Sequence, residues 1–171
     1  MSAAAAMGRL RITTKALARH VSEPADLLTE FDACAQEAGI ELATCLYIVY
    51  DPGTGRARIA SAGHLPPLLL RPDGTVETID EVLGVPLGVG GHPFRATEIE
   101  LPADATLALY TDGLIEARGR DIEAGLEALR TELACSQEAL ENMADRILAS
   151  LLPAPPADDT VLVLARVHRA P

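Results

Sequence analysis

Two short runs, "LATCLYIVY" (residues 42–50) and "TVLVLARV" (residues 160–167), constrain this chain most. Each is rich in aliphatic and β-branched residues on both of its faces, so each reads as a strand of the buried type, covered from two sides. Strands of that kind need layers above and below them, and they imply more than one sheet. The rest of the chain must therefore supply helices and further strands as cover.

It does so in blocks. Across residues 2–21, Met7, Leu10, Thr14, Leu17 and Val21 recur at spacings of three and four and predict an Ala-rich helix. Ser22 stands before Glu23 and Pro24 in the order of an N-cap and first turn. A second stripe, Leu27, Leu28, Phe31, Ala35 and Ala38, then closes at Gly39. The spacing thus predicts an antiparallel helix pair over 1–39. "DPGTG" turns the first strand into "RARIAS", and "PLLLR", "PDG" and "TVETI" make a second hairpin. "ATEIEL" and "TLALYT" follow, joined by "PADA". Ile122, Leu126, Leu129 and Leu133 predict a helix over 121–134. Ser136 then caps another helix that carries Leu140, Met143, Ile147 and Leu151. The Pro-rich "PAPPADD" leads into the closing strand. Helix pairs set apart from hairpins are an α+β pattern, and 171 residues without repeats or a clear linker fit a single domain, 1–171.

Charge narrows the function classes. With 14 Lys and Arg against 25 Asp and Glu, the net charge of -11 disfavours a nucleic-acid backbone or an anionic membrane as partner. No apolar run approaches the roughly 20 residues that span a bilayer. Cys34, Cys45 and Cys135 are odd in number, far apart and free of CxxC spacing, which fits a reducing cytoplasm better than a disulfide framework or a zinc site.

Acidic residues carry the chemistry. Asp112 ends the strand "TLALYT", while Asp158 and Asp159 immediately precede "TVLVLARV". If the two strands are antiparallel neighbours, the acids meet at one sheet edge. Gathered carboxylates repel unless a cation or a proton neutralises them, and hard oxygen ligands select Mg²⁺ or Mn²⁺. The alternative is plain turn chemistry, since Asp-Gly after a strand is a common turn and Asp-Asp a common solvated loop. His64, in the bent loop "SAGHLPP", reads as structural or catalytic, whereas His20, His92 and His168 have no ligand spacing. "GVPLGVGGHP" is Gly-rich but lacks GxGxxG and the Walker lysine, and no GxSxG nucleophile occurs.

Taken in order and spacing, "ELATCLYIVYDPGTGRARIASAGHLPPLLLRPDG", "GVPLGV", "LALYTDGLIEAR" and "ADDTVLVLAR" resemble the bacterial branch of the metal-dependent (PPM-type) serine/threonine protein phosphatases. This is the branch of sporulation stage II protein E and the stress-response sigma-factor regulators. The resemblance runs from about Ser2 to Arg166. It implies a four-layer α-β-β-α sandwich of mostly antiparallel sheets with a two-metal Mn²⁺/Mg²⁺ centre. Asp112 and Asp158 would be metal ligands, and Gly113 and Asp159 their immediate neighbours. Gly63 with His64, and Gly84, Pro86, Leu87 and Gly88, would be loops that shape the site. No catalytic side chain beyond the metal ligands is implied. The implied reaction is hydrolysis of phosphoserine or phosphothreonine by metal-activated water, on a regulatory protein of the anti-sigma-factor antagonist type.

One part of the family pattern has no counterpart. Relatives carry a strand ending in Gly-Asp-x-x-Gly-x-Gly before the first long helix, and its Asp bridges the two metals. "MSAAAAMGRLR" resembles the helix that follows that motif. The expectation is a chain lacking the first strands, with an incomplete metal centre, weak or no hydrolysis, and homodimerisation through an exposed sheet edge or a swapped helix. A non-catalytic interaction module in sigma-factor regulation is the competing reading, and an acidic ligand-binding domain of another family is a third.

Overall fold

The structure is a computed structural model that describes residues 3–40, 42–80, 83–116, 120–135, 138–152 and 158–168. The chain forms two compact units, residues 1–64 with 81–100 and residues 65–80 with 101–171, each with its own sheet and its own apolar core.

In the first unit, helices α1 (Ala3–Leu17) and α2 (Pro24–Glu37) accompany strands β1 (Cys45–Asp51), β2 (Arg56–Ala62) and β5 (Ala96–Glu100). The sheet order is β1-β2-β5, antiparallel throughout. The expected β1–β2 hairpin forms at "DPGTG", where Asp51 accepts from the Gly53 N–H at 2.9 Å and Gly55 takes a φ of 72°. Leu27, Leu28, Phe31 and Ala35 of α2 pack with Leu10 of α1, Ala60, Ala62 and Leu87. Three expectations need correction. Ser22 does not cap α2: Glu23 occupies the N-cap with no side-chain bond to the helix, and Pro24 at the first turn has no N–H to satisfy. Met7 is 62% exposed rather than part of the buried stripe. β1 is half-buried along its apolar length instead of fully covered, because it is an outer strand of its sheet.

In the second unit, β3 (Leu68–Leu70), β4 (Val76–Thr78), β6 (Thr106–Tyr110) and β7 (Leu162–Arg166) form a sheet of order β4-β3-β6-β7, again antiparallel. The expected "PDG" hairpin joins β3 to β4. The "PADA" turn joins β5 to β6, which belong to different sheets. Helices α3 (Asp112–Ile115), α4 (Ile122–Ala134) and α5 (Leu140–Leu151) supply Leu114, Ile115, Leu129, Leu133, Met143, Ile147 and Leu151 to a core with Leu68, Leu70, Ala108 and Tyr110. Asp121 caps α4, its side chain accepting from the Ala124 N–H at 2.8 Å. The α5 stripe lies as the spacing predicts, but Ile122 of the α4 stripe is 42% exposed because it sits at the first helical position. β7 also departs from expectation: Leu162 and Leu164 face the core, whereas Val161 and Val163 are 49% and 46% exposed, since β7 is the last strand of its sheet. Ser136 and residues 153–157 lie outside the described residues.

The result is an α+β fold of antiparallel sheets with helices, the class expected. Among the described residues no helix is long and apolar enough to cross a membrane.

Candidate metal centre

β6 and β7 are antiparallel neighbours, with Tyr110 opposite Leu162. The end of one strand therefore lies beside the start of the other, as the sequence reading requires if the acids are to meet. The pairing continues one step past the strands. The Thr111 N–H donates to the Val161 carbonyl at 3.1 Å, and the Val161 N–H donates to Thr111 Oγ1 at 2.9 Å. Thr111 Oγ1 in turn donates to the Asp159 carbonyl at 3.1 Å, and Thr160 Oγ1 donates to the Gly113 carbonyl at 3.0 Å. Four hydrogen bonds thus stitch "TDG" to "DDTV". Gly113 is needed for this approach, because a Cβ there would stand 2.6 Å from the Asp159 carbonyl oxygen.

Asp112 opens the short helix α3 and Asp158 opens the turn before β7; both are exposed. Each carboxylate accepts the N–H of the next residue through one oxygen, Asp112 from Gly113 at 2.9 Å and Asp158 from Asp159 at 2.7 Å. No ion pair among the described residues neutralises Asp112, Asp158 or Asp159. Each of the two acids therefore turns a carboxylate, uncompensated by a cationic side chain, toward solvent at the same end of the sheet.

The turn that bears Asp112 is held from below. Leu114 and Ile115 are fully buried, and Arg120 donates from Nε to the Ile115 carbonyl at 3.1 Å and from Nη2 to the Leu114 carbonyl at 3.0 Å. These bonds satisfy carbonyls that a short helix leaves open. Gly125 lets α4 approach closely, since a Cβ on it would lie 1.8 Å from the Ile115 carbonyl oxygen. Tyr110, one step before the turn, anchors its hydroxyl on the Pro66 carbonyl at 2.9 Å. Thr111, Thr160, Arg120 and Gly125 did not stand out in the sequence. Gly125 left a trace, however: a glycine inside a helical stripe costs about 1 kcal/mol against alanine, and it marks a close contact when it occurs.

The donor set suits a hard divalent cation, which takes oxygen ligands and, in the case of Mg²⁺, keeps several waters beside one or two carboxylates. It falls short of a closed cage: among the described residues no group of three or more His, Cys, Asp or Glu side chains could hold a metal ion. Asp112 and Asp158 are thus two exposed carboxylates of the donor type such a cation takes, short of a closed protein cage.

The loop residues gather in the other unit. Gly63, at a φ of +68°, sits where a Cβ would be 2.6 Å from the Pro86 ring, and a Cβ on Gly84 would be 2.1 Å from the Ser61 carbonyl oxygen. Leu87 pairs with Ala43 through two backbone bonds of 2.8 and 3.2 Å. The His64 N–H donates to Ser61 Oγ at 3.2 Å, and its Nδ1 lies 3.3 Å from Thr44 Oγ1. The Gly88 N–H donates to Asp32 Oδ1 at 2.7 Å, and Gln36 Nε2 donates to the other oxygen of the same carboxylate at 2.7 Å. Asp32, only 7% exposed, is a further residue the sequence reading passed over. Its position was informative: an acid between Leu28 and Ala35 of the apolar stripe, four residues after the first and three before the second, needs a partner.

Solved structures share this fold. The RsbU and RsbW domains of Rv1364c from Mycobacterium tuberculosis are 27% identical to this chain and superpose with a TM-score of 0.87, over 99% of this chain and 50% of theirs. The SiaA-PP2C domain of Pseudomonas aeruginosa is 20% identical, with a TM-score of 0.74 over 94% of this chain and 67% of that one. RsbX, solved in complex with magnesium, is 14% identical, with a TM-score of 0.70 over 93% of this chain and 71% of its own. This chain thus spans half the length of the first of these. The family model of stage II sporulation protein E matches residues 1–168, and the chain belongs to that family, SpoIIE.

Proposed function

We propose that residues 1–171 act as one phosphatase domain that hydrolyses phosphoserine or phosphothreonine on a regulatory protein of the anti-sigma-factor antagonist type, in the cytoplasm, with Asp112 and Asp158 as ligands of Mn²⁺ or Mg²⁺. The observation that carries the proposal is the stitching of the two acid-bearing turns by Thr111 and Thr160. Divalent cations at such a site lower the pKa of bound water and neutralise phosphoryl oxygens. The chain's own residues do the positioning. Thr111 and Thr160 fix the spacing of the turns, Gly113 permits their approach, and Arg120 holds the α3 carbonyls so that Asp112 starts from a rigid base. Asp159 contributes its carbonyl to the stitching, and Gly63, His64, Gly84, Pro86 and Gly88 order the loops of the other unit.

Two acids with no group of three or more His, Cys, Asp or Glu side chains able to hold a metal among the described residues support the reading that the chain by itself binds metal weakly and turns over slowly. The same observation favours a second reading, a non-catalytic module that binds a sigma-factor regulator. We also propose that the chain forms a homodimer through an open sheet edge, an alternative to a swapped helix.

A Mn²⁺ titration followed by electron paramagnetic resonance tests the metal site directly. Asp112→Asn and Asp158→Asn should each weaken binding by about tenfold or more. Unchanged binding in both variants would remove the site. Hydrolysis of a phosphoserine antagonist in Mn²⁺, lost in Asp112→Asn, separates the phosphatase from the binding module, which would bind the antagonist without releasing phosphate.

A further inference from the structure

The outer edge of β7 is an open sheet edge beside exposed apolar side chains. β7 ends the sheet order, with β6 on one side only. The bonds that flank the β6–β7 ladder fix which backbone groups face outward. Thr111 pairs with Val161, and Ala105 pairs with Val167, whose N–H donates to the Ala105 carbonyl at 2.9 Å. In an antiparallel ladder the hydrogen-bonded residues alternate, so Val161, Val163, Ala165 and Val167 direct their N–H and C=O groups toward β6. Leu162, Leu164 and Arg166 direct theirs away from it. The edge is therefore a row of donors and acceptors at alternate residues, beside the exposed side chains of Val161 and Val163.

The charge along this segment is polar end to end. Asp158 and Asp159 stand before the strand, and from residue 160 to the end the sequence carries Arg166, His168 and Arg169 with no acid. In a chain of net charge -11 this short stretch is one of the few that can attract another copy rather than repel it. Antiparallel pairing with itself sets the acidic end of one strand along the basic end of the other, twice over by symmetry. Parallel pairing would set like ends together.

We infer that β7 pairs with β7 of a second copy, antiparallel about Leu164, joining two four-stranded sheets across a two-fold axis. Leu164 then faces Leu164 of the other copy as a hydrogen-bonded pair, Leu162 faces Arg166, and Val163 faces Ala165 as a non-hydrogen-bonded pair with Cα atoms about 4.5 Å apart. The edge amides gain partners, and Val161 and Val163 extend an apolar face across the axis. The inference rests on the self-association proposed above and is independent of catalysis.

Engineered cysteines and sedimentation velocity together test it. In a Cys135→Ser background, a mixture of Val163→Cys and Ala165→Cys should form an oxidised dimer, because about 4.5 Å lies within the disulfide range, whereas either variant alone should form little. Val163→Lys, at an exposed position, should raise the dimer dissociation constant about tenfold or more while leaving the far-ultraviolet circular dichroism unchanged. A monomer at all concentrations would overturn both self-association and this edge. A dimer that neither cross-links in the mixture nor responds to Val163→Lys would overturn the edge alone and leave the swapped helix. Cross-linking equally strong in each single variant would overturn the register centred on Leu164.

Discussion

Thr111 and Val161 bond to one another twice, once through the Thr111 amide and once through its hydroxyl. The hydroxyl also donates to the Asp159 carbonyl, so one oxygen atom ties the turn of Asp112 to the turn of Asp158. Thr111→Val keeps the shape and removes that oxygen. It should cost about 1 kcal/mol, the low end of the range for a lost hydrogen bond, because water reaches the vacated groups. Thr111→Ser should restore most of the loss. Urea denaturation measures the stability. A parallel fall in Mn²⁺ affinity, rescued by Thr111→Ser, shows that the hydroxyl positions the acids.

Gly113 and Gly125 set two opposed effects against each other. Alanine favours a helix over glycine by about 1 kcal/mol, and on propensity alone Gly125→Ala would stabilise α4. A Cβ there would stand 1.8 Å from the Ile115 carbonyl oxygen, however, and one on Gly113 would stand 2.6 Å from that of Asp159. Both obstacles are backbone, which cannot swing aside, and overpacking of this kind costs about 1–3 kcal/mol or more. Both variants should therefore be destabilised, Gly125→Ala the more strongly. A stability at or above the parent's for Gly125→Ala would show that propensity wins.

The chain's periodicities carried most of the fold. The helical stripes, both hairpins and the antiparallel meeting of "TLALYT" with "TVLVLARV" were legible because each depends on local spacing and on a face that must be covered. Exposure at the rim was not: the sequence cannot tell an outer strand from a central one. Val163 and the residues of β1 therefore read as covered while lying at sheet edges. The meeting of the turns that bear Asp112 and Asp158 was legible from their place beside strand ends. Thr111, Thr160, Arg120 and Asp32 act through partners distant along the chain, and no local pattern announces such bonds.

Asp32 joins α2 to the Gly88 amide 56 residues away. Asp32→Ala strands that amide and the Gln36 side chain in a nearly closed site and should cost about 1–3 kcal/mol. It should also speed hydrogen exchange at Gly88 and Gly90, because Gln36 packs where a Gly90 side chain would lie. Asp32→Asn retains an acceptor oxygen for Gly88 and should behave close to the parent. Equal losses in the two variants would mean that the negative charge, rather than the acceptor, holds the loop.

Tyr110 sets how the second unit responds to alkali. Burial pushes its phenol up from 10.0 to about 12, an effect that the nearby Arg130 reduces and Asp80 reinforces. The folded state thus favours the protonated phenol more than the unfolded chain does. The stability this contributes is full below pH 10 and is lost as pH rises toward 12. The phenol also donates to the Pro66 carbonyl, a bond that ionisation abolishes. Tyr110→Phe removes both the bond and the titration. It should be less stable than the parent by about 1 kcal/mol at pH 8. The gap should narrow as pH climbs past 10, because only the parent has a phenol there to lose. Other groups titrate in the same range, but they do so in both proteins and cancel in the difference. Urea midpoints of the two proteins at pH 8, 10 and 11 decide the matter. A gap that stays constant over that range would show that Tyr110 titrates as it does in the unfolded chain.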